Sequence, residues 1–122
     1  PRTRPKLNFN SKNILVIEPQ VYTYTLKLLK HSRMVITDSG GIQKEAYWLK
    51  KFCLTIRDET EWTELITNKC NFLVGSDKDR IIDTYESVKR LSWSCPDNLY
   101  GGGHAADAIC SAILAYHERH VL

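Results

Sequence analysis

The chain has 122 residues, of which 43% are hydrophobic and 25% charged, a composition that suits one globular domain and excludes a disordered or fibrous class. Seventeen Lys and Arg against fourteen Asp and Glu leave a net charge of +3, too small for a nucleic-acid binder, which needs a concentrated basic face. No apolar run approaches the roughly 18 to 20 residues of a membrane span and no signal-peptide pattern precedes the first expected strand, so a cytoplasmic protein with no nucleic-acid or membrane partner is expected.

The chain opens on Pro1, and its basic excess is mostly local, at Arg2, Arg4 and Lys6. A start without methionine suggests a piece cut from something longer. Ile14-Leu15-Val16-Ile17 is a continuous apolar run ended by Glu18-Pro19, read as a buried strand. From Val21 to about His31, Tyr22, Leu26 and Leu29 fall on one helical face. Met34-Val35-Ile36-Thr37 reads as a second strand, and Ile42, Ala46 and Leu49 space an amphipathic helix of about ten residues after it. Phe52-Cys53-Leu54-Thr55-Ile56 makes a third strand, Glu61 to Thr67 a short helix, and Asn71-Phe72-Leu73-Val74 a fourth strand stopped by Gly75. Lys78 to Leu91 is expected as a helix with Ile81, Ile82, Tyr85, Val88 and Leu91 inward. After the loop Ser94 to Gly103, Ala105 to about Tyr116 forms a last helix with Ile109, Ala112, Ile113 and Tyr116 on one stripe.

Strands that are apolar throughout, alternating with helices, predict an α/β fold: a Rossmann-like parallel sheet with helices on both faces. Four strands fall short of the five or six common in such sheets, so the first strands are expected to be missing. The cysteines Cys53, Cys70, Cys95 and Cys110 form no C-x-x-C pair, which predicts reduced, largely buried thiols and neither a zinc site nor a redox pair.

Ligands of an open parallel sheet bind beyond the carboxyl ends of its strands. The loops expected on that rim are Glu18-Pro19, Asp38-Ser39-Gly40-Gly41, Arg57-Asp58-Glu59-Thr60-Glu61 and Gly75-Ser76. The Ser39-Gly40-Gly41 turn offers backbone N–H groups, a hydroxyl and the positive end of a helix, which suit a phosphate or diphosphate; it reads equally as a plain strand-to-helix turn. Neither G-x-S-x-G, a Walker loop nor G-x-G-x-x-G is present. Glu45, one turn into the helix, complements the helix dipole or pairs with a Lys, or else accepts hydrogen bonds from sugar hydroxyls. Arg57 holds a second phosphate or pairs with Asp58, Glu59 or Glu61. His117 and His120 read as a solvated helix end, and Gly101-Gly102-Gly103 as a second phosphate-facing turn or a hinge.

The order Pro1-Arg2-Thr3-Arg4, Glu18-Pro19, Thr37-Asp38-Ser39-Gly40-Gly41-Ile42-Gln43-x-Glu45-Ala46, Arg57-x-x-Thr60-Glu61, Asn71-x-Leu73-Val74-Gly75 and Asn98-x-Tyr100-Gly101-x-Gly103 resembles the C-terminal domain of the non-hydrolysing UDP-N-acetylglucosamine 2-epimerases. The resemblance covers nearly the whole chain. It implies a GT-B (glycogen-phosphorylase-like) architecture, two Rossmann-like domains with a nucleotide sugar in the cleft. Residues 1–122 would then be the C-terminal UDP-binding domain fragment, without the N-terminal domain. The implied chemistry interconverts UDP-GlcNAc and UDP-ManNAc by elimination and re-addition of UDP. Ser39, Gly40 and Gly41 would hold the diphosphate and Glu45 the ribose hydroxyls, while Arg57, Thr60 and Glu61 would support the cleft side.

The resemblance implies no cofactor or metal. The proton-transferring carboxylates of the family lie ahead of Pro1, so no catalytic residue is expected here, and the fragment alone would be inactive. The parent would be a homodimeric isomerase of cell-envelope polysaccharide biosynthesis. One departure bears on the sugar: the family's usual Thr-Glu-Arg-Pro-Glu is Thr60-Glu61-Trp62-Thr63-Glu64, closer to relatives acting on UDP-2,3-diacetamido-2,3-dideoxyglucuronic acid and to some archaeal members; another, Gly102 where the family commonly has Asp, removes a carboxylate from the glycine loop. Thr25 replaces an aromatic residue often found near uracil. The alternatives are that diacetamido epimerase, a GT-B nucleotide-sugar glycosyltransferase, or a free-standing flavodoxin-like or receiver-like module.

Overall fold

The computed structural model describes residues 12–120; the Pro1-Arg2-Thr3-Arg4 motif and the basic cluster lie outside them. The elements in chain order are α1 (Tyr22–His31), β1 (Val35–Thr37), α2 (Gly40–Trp48), β2 (Cys53–Thr55), α3 (Thr63–Thr67), β3 (Asn71–Leu73), α4 (Lys78–Val88) and α5 (Ala105–His120), with a 3-10 turn at Gly101–Gly103 before the last helix. The three strands form one parallel sheet in the order β1-β2-β3, with Val35 beside Cys53 and Cys53 beside Asn71.

Alternation along a strand sends successive side chains to opposite faces. Val35, Cys53 and Asn71 therefore share one face, and Ile36, Leu54 and Phe72 the other. Val35 and Cys53 pack with Leu29 of α1 and Ala46 of α2 in one apolar cluster. A second cluster joins Tyr47, Phe52, Leu65, Cys70, Val88 and Cys95, with Phe72, Trp93 and Tyr100 against it. The carbonyls at the ends of α2 and α3 are closed by residues in left-handed backbone: Lys50 and Lys69, both at φ 56°, let Lys51 N donate to Ala46 O and Cys70 N to Leu65 O. These six-to-one bonds turn each helix sharply into the next strand.

The helices from Val21 and from Ile42, and the three later strands, fall where the sequence places them. Four expectations are corrected. Ile14–Ile17 is not a strand and its side chains are exposed, Leu15 at 86%. Its backbone has no neighbouring strand among the described residues, and a strand needs one to take its N–H and C=O groups. Glu18-Pro19 consequently follows no strand end. Of the five residues expected inward on a helix from Lys78 to Leu91, only Val88 is buried; Ile82 and Tyr85 are exposed, and so is Leu91, which lies beyond the end of α4. The stripe on α5 is exposed as well, with Ile109, Ile113 and Tyr116 each about three-fifths accessible and no residue of that helix buried. Periodicity identifies the side a helix can bury but not whether a neighbour covers it. The thiols are free and largely buried, as expected: Cys53, Cys70 and Cys95 are buried and Cys110 is exposed.

Candidate functional site

Three loops leave the carboxyl ends of the strands, and the first runs straight into α2. Ser39 is the N-cap of that helix, in extended backbone, and its hydroxyl accepts from Ile42 N at 3.5 Å. Its own N–H donates to Thr37 Oγ1 at 3.0 Å, so the last residue of β1 fixes the turn. Gly40 and Gly41 form the first helical positions, where backbone N–H groups have no partner within the helix. No acidic residue occupies this first turn, so no side chain of the helix's own first turn offsets the positive end of its dipole.

The second loop lies directly on the first. A side chain at Gly40 would bring its Cβ within 3.6 Å of Trp62 Nε1 and 3.7 Å of Glu61 Oε2, and Trp62 Nε1 donates to the Gly40 carbonyl at 2.9 Å. Arg57, half-buried at the end of β2, makes a forked pair with Glu61: Nη1 to Oε2 and Nη2 to Oε1, both 3.2 Å. Of the two roles open to Arg57, the structure contains the ion pair. Glu61's own backbone N–H, and then Arg57, hold the Glu61 carboxyl below the usual carboxylate range. A shallow cavity of about 250 Å³ is lined by Arg57, Glu59, Thr60 and Glu61.

Thr60 faces inward instead. Its hydroxyl donates to Gln43 Oε1 at 2.7 Å, and the same oxygen accepts from Asn71 Nδ2 at 2.8 Å. Asn71 Oδ1 in turn accepts from Thr55 Oγ1 at 2.8 Å. Gln43, Thr55 and Asn71 are each at most 1% exposed. A buried polar chain thus runs from β2 and β3 to α2 and out to the Arg57 loop, beneath the Ser39 turn. Glu45 is half-buried one turn into α2, and its carboxylate, facing Tyr22 of α1, raises the Tyr22 pKa above its ordinary 10.0.

Ser39, Gly40, Gly41, Arg57, Thr60 and Glu61 therefore converge at one rim, with Glu45 on the α1 side of the same helix. The third loop carries Gly75 at φ +61°, its α-hydrogen side facing Asp58. Gly101–Gly103 packs against α5; His120 stacks on Tyr116 at 4.1 Å. Sequence reasoning passed over Gln43 and Asn71, although buried amides flanked by a glycine turn and a strand start are a usable sign of an internal brace. It recorded Trp62 only as a departure, whereas its indole is what joins the two loops.

A parallel sheet with a capped Ser-Gly-Gly helix start at its carboxyl rim places the chain among the open α/β proteins, whose ligand sites lie at that rim. The chain belongs to the UDP-N-acetylglucosamine 2-epimerase family, whose profile matches residues 1–114. It is 43% identical over 96 residues to the UDP-2,3-diacetamido-2,3-dideoxy-D-glucuronate 2-epimerase of Pseudomonas aeruginosa, covering 79% of this chain and 27% of that protein. It is 38% identical over 126 residues to the UDP-N-acetylglucosamine 2-epimerase of Methanocaldococcus jannaschii, covering 95% of this chain and 33% of that one. The crystal structure of the M. jannaschii enzyme in complex with UDP-GlcNAc and UDP superposes with a TM-score of 0.77 at 35% identity, over 94% of this chain and 31% of the other. The chain thus spans about a third or less of the length of these relatives, and its fold is the α/β fold of the corresponding part of these GT-B enzymes.

Proposed function

We propose that residues 1–122 are the C-terminal, UDP-binding domain of a two-domain 2-epimerase that interconverts UDP-GlcNAc and UDP-ManNAc. The observation that carries this reading is the Ser39-Gly40-Gly41 helix start, in contact with the Arg57 loop, inside a chain of this family. In the reaction the proton leaves C2, the C1–O bond breaks with its electron pair going to the β-phosphate, and a 2-acetamidoglucal remains. UDP then adds back to C1 while a proton reaches the other face of C2. UDP is the leaving group, so fixed N–H donors at a helix start stabilise charge that grows in the transition state.

Ser39, Gly40 and Gly41 would hold the diphosphate, and Glu45, half-buried one turn into α2, the ribose hydroxyls. Arg57, half-exposed beside them, would exchange part of its Glu61 pairing for a phosphate oxygen, with Thr60 and Glu61 supporting the loop. Proton transfer belongs to residues outside this chain, in the N-terminal domain across the cleft. The same reading makes the parent a homodimer in the cytoplasm serving cell-envelope polysaccharide synthesis; no helix among the described residues is long and apolar enough to cross a membrane.

A second reading has its own support: Trp62 in place of the family's Arg, and the 43% identity to the P. aeruginosa diacetamido-glucuronate epimerase, favour a diacetamido uronic acid as the sugar. The test uses the full-length protein in deuterated water. Deuterium entering C2 of UDP-GlcNAc, with UDP affinity reduced about tenfold in Ser39→Ala and Glu45→Ala by the loss of charge-assisted hydrogen bonds, is expected. Turnover of the diacetamido uronic acid alone moves the substrate assignment. Binding of UDP that neither substitution changes refutes the site.

A further inference from the structure

Lys44 lies one turn beyond Gly40 on α2, and its ammonium sits among three aromatic rings. It is 4.2 Å from the ring centroid of Trp62, 4.6 Å from that of Tyr100 and 5.5 Å from that of Trp48. The rings pack edge to face around it, Tyr100 against Trp62 at 6.3 Å and against Trp48 at 5.9 Å. They come from three separate pieces of chain: the end of α2, the entry to α3 and the segment leading into Gly101–Gly103. A cation over the faces of several rings is held by their quadrupoles, more firmly where water is partly excluded, and Lys44 and Trp62 are both half-buried. No carboxylate forms an ion pair with Lys44 among the described residues.

The same Trp62 indole donates to the Gly40 carbonyl. One side chain therefore grips both ends of the Gly40–Lys44 turn, by a hydrogen bond at the first residue and by its π-face at the last. Around this turn the Arg57 loop, the anion-receiving helix start and the Tyr100 segment meet, and one ammonium is the group common to all the rings.

We propose that Lys44 is a positioning residue: its ammonium latches the Trp62 and Tyr100 segments onto the first turns of α2 and so sets the spacing at which Ser39–Gly41 and Arg57 receive the nucleotide diphosphate. This rests on the functional reading above. Lys44 acts through the rings and not by touching the phosphates.

The experiment compares the full-length wild type with Lys44→Met, which keeps the chain length and removes the charge, and Lys44→Arg, which keeps a cation able to stack on aromatic faces. Amide hydrogen exchange over residues 98–103 reads the latch, and UDP calorimetry with kcat and KM reads its consequence. In Lys44→Met, exchange of that segment is expected to accelerate, and the UDP Kd and the substrate KM to rise, each by about 2- to 30-fold, with kcat changed less than about twofold because the lost binding is uniform. Lys44→Arg restores all three. Unchanged exchange in Lys44→Met overturns the latch even if UDP binding weakens, since charge alone then explains it; accelerated exchange with unchanged UDP affinity and KM overturns its link to the site. A wild type that binds no UDP refutes the functional reading, and with it the positioning role, while the exchange comparison separately decides whether the latch exists.

Discussion

Replacing Asn71 by Leu attacks the brace beneath the helix start. In the folded chain the Asn71 amide gives one hydrogen bond to Gln43 and takes two, from Thr55 Oγ1 and from Phe72 N, all at 2.8 Å. Gln43 Oε1 keeps Thr60 as a donor after the substitution, so it is not left bare. Thr55 is different: it is fully buried, and its hydroxyl loses a carboxamide acceptor with only the Cys53 sulfur, 3.8 Å away, in reach. An orphaned buried hydroxyl costs about 1 to 3 kcal/mol, and the lost Phe72 bond adds about 0.5 to 1.5 kcal/mol. Leu returns a fraction of this through its larger apolar surface. The net expectation is a loss of about 2 to 4 kcal/mol, a large share of the roughly 5 to 15 kcal/mol that holds a domain folded. Thr55→Val removes the orphan, so the Asn71→Leu/Thr55→Val pair should be about 1 to 3 kcal/mol more stable than the sum of the single losses. The assay is urea unfolding followed by tryptophan fluorescence, since Trp93 packs on the core at Phe52. A single-variant cost below about 0.5 kcal/mol, or strict additivity of the pair, would refute the reasoning that this chain of amides and hydroxyls supports the site.

Three further outcomes are expected. Gly75→Ala should lower stability by about 1 to 2 kcal/mol, because the residue sits at φ +61° and the new methyl would lie 2.9 Å from Asp58 Oδ1; a thermal midpoint equal to wild type contradicts it. Burial pushes the Cys53 thiol up to about 11 from an ordinary 9.0. The folded state thus favours the protonated thiol, and its stabilisation is intact below about pH 9 and lost as pH rises from 9 towards 11. Urea midpoints at pH 8 and pH 10.5 should show a smaller alkaline loss in Cys53→Ala than in wild type, and iodoacetamide at pH 8 should modify exposed Cys110 before the three buried thiols.

The local grammar of this chain was legible in its residues. Three short β-branched or apolar runs, each followed by a helix-spaced stretch, specified the α/β alternation, because periodicity is set by backbone geometry that every residue shares. Ser39 before two glycines and a helix pattern marked a helix start, which the Ser39 hydroxyl caps in the structure, and the motif order placed the chain in its family. Other decisions depended on what lies next to what. The Ile14–Ile17 run satisfies every local criterion for a strand but has no paired neighbour among the described residues, and the apolar faces of α4 and α5 are largely uncovered, because burial is a property of two surfaces and a sequence pattern describes one. Arg57 could be listed with three acidic partners, and only the tertiary structure put its fork on Glu61. Gln43, Asn71 and Thr55 are far apart in the chain and ordinary in composition; packing brings them within hydrogen-bond reach in a buried layer. Lys44 carries no signal of its own in the sequence, and Trp62 reads there only as a departure from the family's pattern. Their meeting at 4.2 Å required the α3 entry to fold back over α2, and that long-range contact is the kind of information local sequence does not carry.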